Sequence, residues 1–412
     1  MFYLWILIVG ILFNNSNILK RAFEFTSLFN KDKIVHNFRT MNEKHIPYHY
    51  LKHKKNISEF YVNKSYNKLI TLPNYFTHNN AKHNLNKWLD DHWTTGLVVL
   101  KIDNVTNARL LHEKYYLGNN KKSKVISWST GKSITSLLVG LAIQDGYIKS
   151  INDKVSEYIN SLSDCAYGNI TIKNLLQMSS GIKFDENYFD TWADINVMLR
   201  QIIIGNDLEN YVKTLQINNI QGTTHNYISA DTQILGMVVR NAINETLTNY
   251  LQRKVWNKGG FECDLYWLHD NHKLETEFAF GTINTCTRDY ARIGWLYLNN
   301  GKSPLDGKQI INEKWIVDSV TPDSSHLMPG VNKFPLGYGY QWWVPGCEHN
   351  ITQICDDYLA IGIYNQFIYV SPKNKIVIAK NSAYVNYDKD SELSELESIS
   401  MFRTIANKLK QY

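Results

Sequence analysis

The stretch Ser127-Trp128-Ser129-Thr130-Gly131-Lys132-Ser133-Ile134-Thr135-Ser136-Leu137-Leu138-Val139-Gly140 decides how the rest of the chain is read. Ile134, Leu137, Leu138 and Leu141 recur at i, i+3, i+4 and i+7, the stripe of a helix packed into a core. Asp145-Gly146 stops that helix, because glycine adopts the left-handed turn of a helix C-terminus without strain. Ser129, Lys132, Ser133 and Ser136 form the opposite face, which is small and polar. Residues three apart are neighbours on a helix, so the Ser129 hydroxyl and the Lys132 amine reach one another near the positive end of the helix dipole. A serine hydroxyl is almost un-ionised at neutral pH and needs a base beside it to attack a carbonyl. A lysine supplies that base once burial or nearby positive charge lowers its pKa. Serine is also a leading helix N-cap residue, so spacing alone leaves a plain capping role open for Ser129.

Composition narrows the setting. A chain of 412 residues with 44% hydrophobic and 13% aromatic content is globular, with room for two or three structural units. The net charge of +6 is spread thinly, and the short basic runs at residues 52–55 and 121–124 read as solvated loops. No basic stripe is interleaved with aromatics, so nucleic acid is not an expected partner. No Cys-x-x-Cys or His-x-x-x-His spacing is read as a metal site, and neither a metal nor an organic cofactor is expected. The apolar run at residues 2–13 is short for a membrane span and suits a signal core or short signal anchor. Lys20 and Arg21 follow it and no small-x-small cleavage site does, which leaves open a segment that packs on its own domain. The expectation is an exported or membrane-anchored protein, attached if at all through residues 2–13. Of five cysteines, Cys347 and Cys355 are close enough to close a small loop in an oxidising compartment.

Residues 14–84 are polar, rich in Asn and Lys and without sustained periodicity, and read as a linker or irregular extension. A helix is expected over residues 83–93. The β-rich runs at 96–102 and 108–116 flank Asp103-Asn104 and predict a hairpin. A helical region follows to about residue 250, with Thr171 capping the helix that begins at Ile172. β signal returns at 367–370 and 376–379 around a Ser-Pro-Lys-Asn-Lys turn, and an amphipathic helix closes the chain over 391–410. Strands at both ends with helices between predict an α+β fold: an antiparallel sheet with flanking helices plus an inserted all-helical domain. The expected division is a signal or anchor segment at 1–30, an N-terminal extension at 31–84, an α/β domain from 85–128 and 255–412, and a helical domain at 129–254.

Five stretches, in order, carry a resemblance: residues 127–140, residues 170–182, Tyr227-Ile228-Ser229, residues 281–294 and residues 336–343. Together they resemble the β-lactamase-related serine hydrolases, which include class C β-lactamases, D-stereospecific peptidases and penicillin-binding proteins. The chain most resembles the esterase and amidase branch that contains 6-aminohexanoate-dimer hydrolase. The resemblance implies the β-lactamase/transpeptidase-like fold, with a groove between the sheet and the helical domain. It makes Ser129 the nucleophile, Lys132 its base and Tyr227 a second proton carrier, by analogy with a Tyr-x-Asn or Tyr-x-Ser box. Ser229 fills the last place of that box, or it is only the N-cap of the helix after it. Where class C β-lactamases have Lys-Thr-Gly, this chain has Ala360-Ile361-Gly362, so the cation that holds a β-lactam carboxylate is missing. The esterase and amidase branch lacks it too. By the same resemblance the amides of Ser129 and Ile363 form the oxyanion hole, with Gly362 allowing close approach of substrate. Tyr188 and Trp192 border the groove in relatives, where substrate contact and helical-domain packing are both open to them. Trp342 and Trp343 read as core, and His225 has no required role. The reading is a serine hydrolase that cleaves a small ester or amide through an acyl-enzyme. Its rivals are a penicillin-binding or D-stereospecific peptidase acting on cell-wall peptides, and a non-catalytic scaffold of the same fold.

Overall fold

A computed structural model describes residues 16–62, 69–204, 206–270, 273–331 and 334–412. The apolar run at residues 2–13 lies outside the described residues.

Both ends of the chain build one sheet. In spatial order its strands are Leu336–Tyr338, Trp343–Cys347, Tyr358–Gly362, Gln366–Ser371, Ile376–Ser382, Thr94–Asn104, Asn107–Tyr115 and Phe60–Tyr61, with Asn350–Ile354 paired beside Trp343–Cys347. Neighbours run antiparallel except Phe60–Tyr61, which lies parallel to Asn107–Tyr115. Both expected hairpins form, at 94–115 and 366–382.

The central strands are buried on both faces, which explains their unbroken apolar runs. Side chains alternate across a strand. Val98, Leu100, Val377 and Ala379 therefore join one core with Ile293 and Trp295 of the helix Thr287–Leu298. Leu97, Val99, Ile376 and Ile378 join a second core with Ile399, Phe402 and Ile405 of the C-terminal helix Tyr387–Leu409. Gly294 lets the first helix lie flat on the sheet, since a methyl there would stand 2.6 Å from a Val377 methyl.

A second, four-stranded sheet joins Tyr48–Leu51, Leu265–Leu268, Ile283–Cys286 and Lys124–Ile126. Between Ser129 and Leu251 the described residues contain helices and two isolated bridges but no strand. The principal helices are Gly131–Gln144 and Ser229–Ile243, which pack on each other. Thr171 caps Ile172–Leu176 through a bond from the Asn174 amide.

The N-terminal stretch is not a linker. It forms the helices Ser16–Ser27 and Ile34–Arg39, and Leu28, Ile34, Phe38 and Met41 are buried in the main core. Ile34, Val35, Phe38 and Met41 are spaced as on one helix face, but the run is only about two turns long, and long-range packing collects it. Two disulfides are present, Cys347–Cys355 and Cys263–Cys286, and Cys165 is free. Among the described residues, no helix is long and apolar enough to cross a membrane.

Candidate active site

Ser129 lies in a single 3-10 turn, Trp128–Thr130, that feeds directly into the helix Gly131–Gln144. Its side chain does not cap that helix. Trp128, just before it, has φ +44, a left-handed conformation that costs a non-glycine residue about 1–2 kcal/mol. Rings hold it there: Phe38 stands 5.2 Å from the Trp128 ring, Phe29 5.8 Å and Tyr364 6.1 Å. Ser127 locks the turn from below, accepting a bond from the Ile283 amide at 3.1 Å and donating to Trp128 O at 2.9 Å. Thus the N-terminal stretch supplies two of the three rings behind the serine.

Lys132 is 1% exposed, and its Nζ lies 2.9 Å from Ser129 Oγ, 3.0 Å from Ser229 Oγ and 3.2 Å from the Phe280 carbonyl. Burial lowers its pKa to about 8, against the opposing pull of the Glu186 carboxylate. A neutral amine has two N–H groups and one lone pair. The Phe280 carbonyl can only accept. Ser229 Oγ donates its own proton to Glu186 Oε1, so toward the lysine it too can only accept. These two partners use both N–H groups and leave the lone pair facing the Ser129 hydroxyl. The neighbours therefore fix the direction in which the base points as well as its position.

Tyr227 is half-buried, stands beside the Ser129 side chain and stacks on Trp343 at 5.3 Å. The Lys132 Nζ sits 4.9 Å from its ring centre. Burial raises its phenol pKa, so the hydroxyl keeps its proton in the resting site. Gly362 ends the strand Tyr358–Gly362 directly against the serine turn: a methyl there would lie 2.7 Å from Ser127 O and 3.0 Å from the Ser129 amide. That contact brings the start of the Ile363 turn beside the Ser129 amide.

A cleft of about 360 Å³ opens over Ser129, walled by Tyr188, Tyr227, Trp343, Ile361 and Ile363. Ser129, Lys132, Tyr227, Ser229, Tyr188, Gly362 and Ile363 are thus brought together. Ser229 is the first residue of its helix and not its cap; Ile228 takes that place without a side-chain bond. Trp343, read as core, forms a wall of the cleft, while Trp342 is fully buried as expected. Trp192 is 70% exposed and does not line the cleft, its ring lying under Arg200 instead.

Sequence reasoning missed two carboxylates. Glu186 accepts from the Ser229 amide at 2.8 Å, from the Ser229 hydroxyl, and from Tyr188 OH at 2.6 Å. Burial pushes its pKa above the usual carboxylate range, opposed by Lys132 and these donors. Glu395, from the C-terminal helix, lines the far side and accepts from Tyr387 OH. Burial raises its pKa to about 7. No local spacing ties Glu186 to Ser229, 43 residues on, and only the fold makes the link.

Known proteins share this architecture. A 6-aminohexanoate-dimer hydrolase from Paenarthrobacter ureafaciens is 25% identical over 316 residues, covering 74% of this chain and 76% of its own. A Bacillus anthracis protein assigned as a 6-aminohexanoate-dimer hydrolase superposes with a TM-score of 0.79 at 22% identity, covering 93% of this chain and 96% of that one. A penicillin-binding protein from Bacillus halodurans superposes with a TM-score of 0.55 at 16% identity, covering 77% and 100%. The Beta-lactamase family model matches residues 89–395, the span holding every residue of the cleft described above. The chain is a hydrolase of α+β, β-lactamase/transpeptidase-like fold, and it belongs to the Beta-lactamase family.

Proposed function

We propose that this protein cleaves small esters or amides through an acyl-enzyme on Ser129. The observation that carries the reading is the buried Lys132 amine, 2.9 Å from Ser129 Oγ with its lone pair directed there by Ser229 and Phe280. The Ser129 proton passes to Lys132 as Oγ bonds to the carbonyl carbon, and the developing oxyanion rests on the amides of Ser129 and Ile363. Collapse expels the alcohol or amine, which takes its proton from Lys132 through the Tyr227 hydroxyl. Water then adds to the acyl carbon and passes its proton through Tyr227 to Lys132; as the adduct collapses, Ser129 Oγ takes that proton back from Lys132 and the acid departs.

The substrate is neutral or cationic near the reacting bond. The cleft wall includes Glu186 and Glu395 but no Lys or Arg among the described residues, and position 360 is an alanine. An anionic penicillin or peptide carboxylate finds no cation there. A short ester or an ω-amino amide, such as the 6-aminohexanoate dimer named for the relative, suits it better. The two disulfides support an oxidising, exported location.

Intact-mass spectrometry tests the proposal. A fluorophosphonate should add once to the wild-type chain and not to Ser129→Ala, while a penicillin should leave no adduct. A Ser129-dependent penicillin adduct would replace this reading with the cell-wall peptidase one. No adduct on folded protein would point to a scaffold.

A further inference from the structure

A second cluster of chemically capable side chains lies away from the cleft, at the edge of the smaller sheet. His49 sits in the strand Tyr48–Leu51 and pairs across to Trp267. His269 follows the partner strand, and the two imidazoles stack with centres 4.3 Å apart. Glu275 reaches over both, its Oε2 3.3 Å from His49 Nε2. One ligand atom from each of His49, His269 and Glu275 lies within 4.8 Å of the other two.

What separates this cluster from a surface ion pair is the behaviour of the other ring nitrogens. His269 Nδ1 lies 2.6 Å from the Asp270 carbonyl, which can only accept, so Nδ1 carries the proton and Nε2 a lone pair. His49 Nδ1 lies 3.0 Å from Glu277 Oε1. Glu277 is fully buried and kept as a carboxylate by Arg240 at 3.0 Å and by the Thr248 amide at 3.1 Å. Imidazole metal ligands are held this way, one nitrogen donating to a carboxylate or backbone carbonyl while the other faces the ion. Both rings here have that support at Nδ1, which leaves both Nε2 atoms for an ion.

The backbone adds a separate observation. Glu275 has φ +53, a strained conformation for a residue with a side chain. Arg240 holds it by donating to the carbonyls of Leu274 and Glu275. That turn aims the Glu275 carboxylate at the two histidines.

We propose that His49 Nε2, His269 Nε2 and the Glu275 carboxylate bind one divalent transition ion of the Zn²⁺ or Co²⁺ class, with water in the fourth position. Two imidazoles and one carboxylate select this class over Ca²⁺ or Mg²⁺, which prefer all-oxygen shells. Bonds of about 2.0–2.1 Å bring tetrahedral ligand atoms to roughly 3.4 Å from each other. Reaching that spacing from within 4.8 Å takes small rotations of the imidazoles and of the Glu275 side chain, which is 61% exposed. The ion ties the N-terminal strand to the turn that leads into Phe278, Ala279 and Phe280. Its role is to brace, since the same turn delivers the Phe280 carbonyl to Lys132.

The sequence hides the site. His45, His49 and His53 do recur every fourth residue, but the chain is not helical there, and His45 and His53 pair with Glu24 and Asp264 instead. The histidine that completes the pair with His49 is 220 residues away.

Titration of the full-length, chelator-treated protein with Co²⁺ tests the site. The expected result is a visible d–d band that saturates at one ion per chain and is displaced by Zn²⁺. Zn²⁺ should also raise the thermal midpoint. In Glu275→Gln and His269→Gln the Co²⁺ affinity should fall roughly 100-fold, with an unchanged midpoint for the metal-free Glu275→Gln protein. No saturable band in the wild type, or a band that survives both substitutions, would overturn the proposal and leave His49 as an ion-paired imidazolium.

Discussion

Among the described residues two lysines are almost fully buried, and they sit in opposite circumstances. Lys132 is 1% exposed and Lys380 0%. Burial depresses the pKa of both, to about 8 for Lys132 and well below its ordinary 10.5 for Lys380. Neither has an ion-pair partner within contact distance among the described residues. Lys132 touches a hydroxyl that opens onto a cleft. Lys380 lies inside the strand Ile376–Ser382, bonded to Ser382 Oγ at 2.6 Å and walled by the rings of Trp88 and Phe367. A depressed pKa therefore does not by itself mark a base. It becomes useful only where a nucleophile and space for a carbonyl adjoin it.

The largest effects test that distinction. Ser129→Ala and Lys132→Met should each lower kcat/KM toward an activated ester by a factor on the order of 10⁴ or more. Lys380→Met should leave it within about twofold, since no atom of Lys380 lines the cleft. Comparable losses from the two lysine variants would erase the contrast. Next in size is Tyr227→Phe, which removes the proton relay but keeps the ring stacked on Trp343. A loss of about 10²–10⁴ in kcat is expected, as for other general acid–base groups. A change confined to KM would make Tyr227 a wall of the cleft only.

How visible each lysine's setting was in the sequence differs in the same way. Lys132 was legible because its partner is three residues away and helical geometry alone joins them. The core helices and both hairpins were legible for the same reason, their signals being local periods. Glu186, the rings of Phe29 and Phe38 behind Trp128, and the surroundings of Lys380 were not. Each depends on contacts between segments far apart in the chain, and the helical spacing of Ile34, Val35, Phe38 and Met41 is too short to say what that face covers. Ser229 shows the limit well. Its position suggested a helix cap or a family box, and only the bond to Glu186 gives it an orienting role.

Glu186 sharpens the comparison further, because Lys380 has no counterpart to it. A carboxylate near an ammonium stabilises the charged form, so Glu186 holds the Lys132 pKa up against burial. Catalysis needs the neutral amine, and kcat/KM should rise with pH to a plateau above about 8. Glu186→Gln removes the negative charge, lowers the lysine pKa and moves that rising limb to lower pH. A limb that stays in place, measured by pH–rate profiles of both proteins, would show that Glu186 acts on Ser229 alone.

The smallest effect is on stability, and it follows from Lys380. Its folded pKa lies below the unfolded value, so between the two the unfolded chain binds a proton that the folded chain does not. Stability then rises with pH across that interval, by about 1.4 kcal/mol per pH unit for one group, and the burial penalty is greatest below it. Lys132 adds the same slope from about 8 to 10.5. Buried tyrosines whose pKa burial raises pull both proteins down alike as the pH nears 10, so the contrast lies in the difference: the stability of wild type relative to Lys380→Met should rise through pH 8–10.5 with the slope of one proton. Methionine also removes the penalty at neutral pH, so the variant should be the more stable protein at pH 7, with an advantage that shrinks as the pH rises. Urea unfolding of both proteins across this range measures the difference directly. Equal slopes would mean that Lys380 keeps its proton in the folded sheet, and then the two lysines would differ in charge as well as in company.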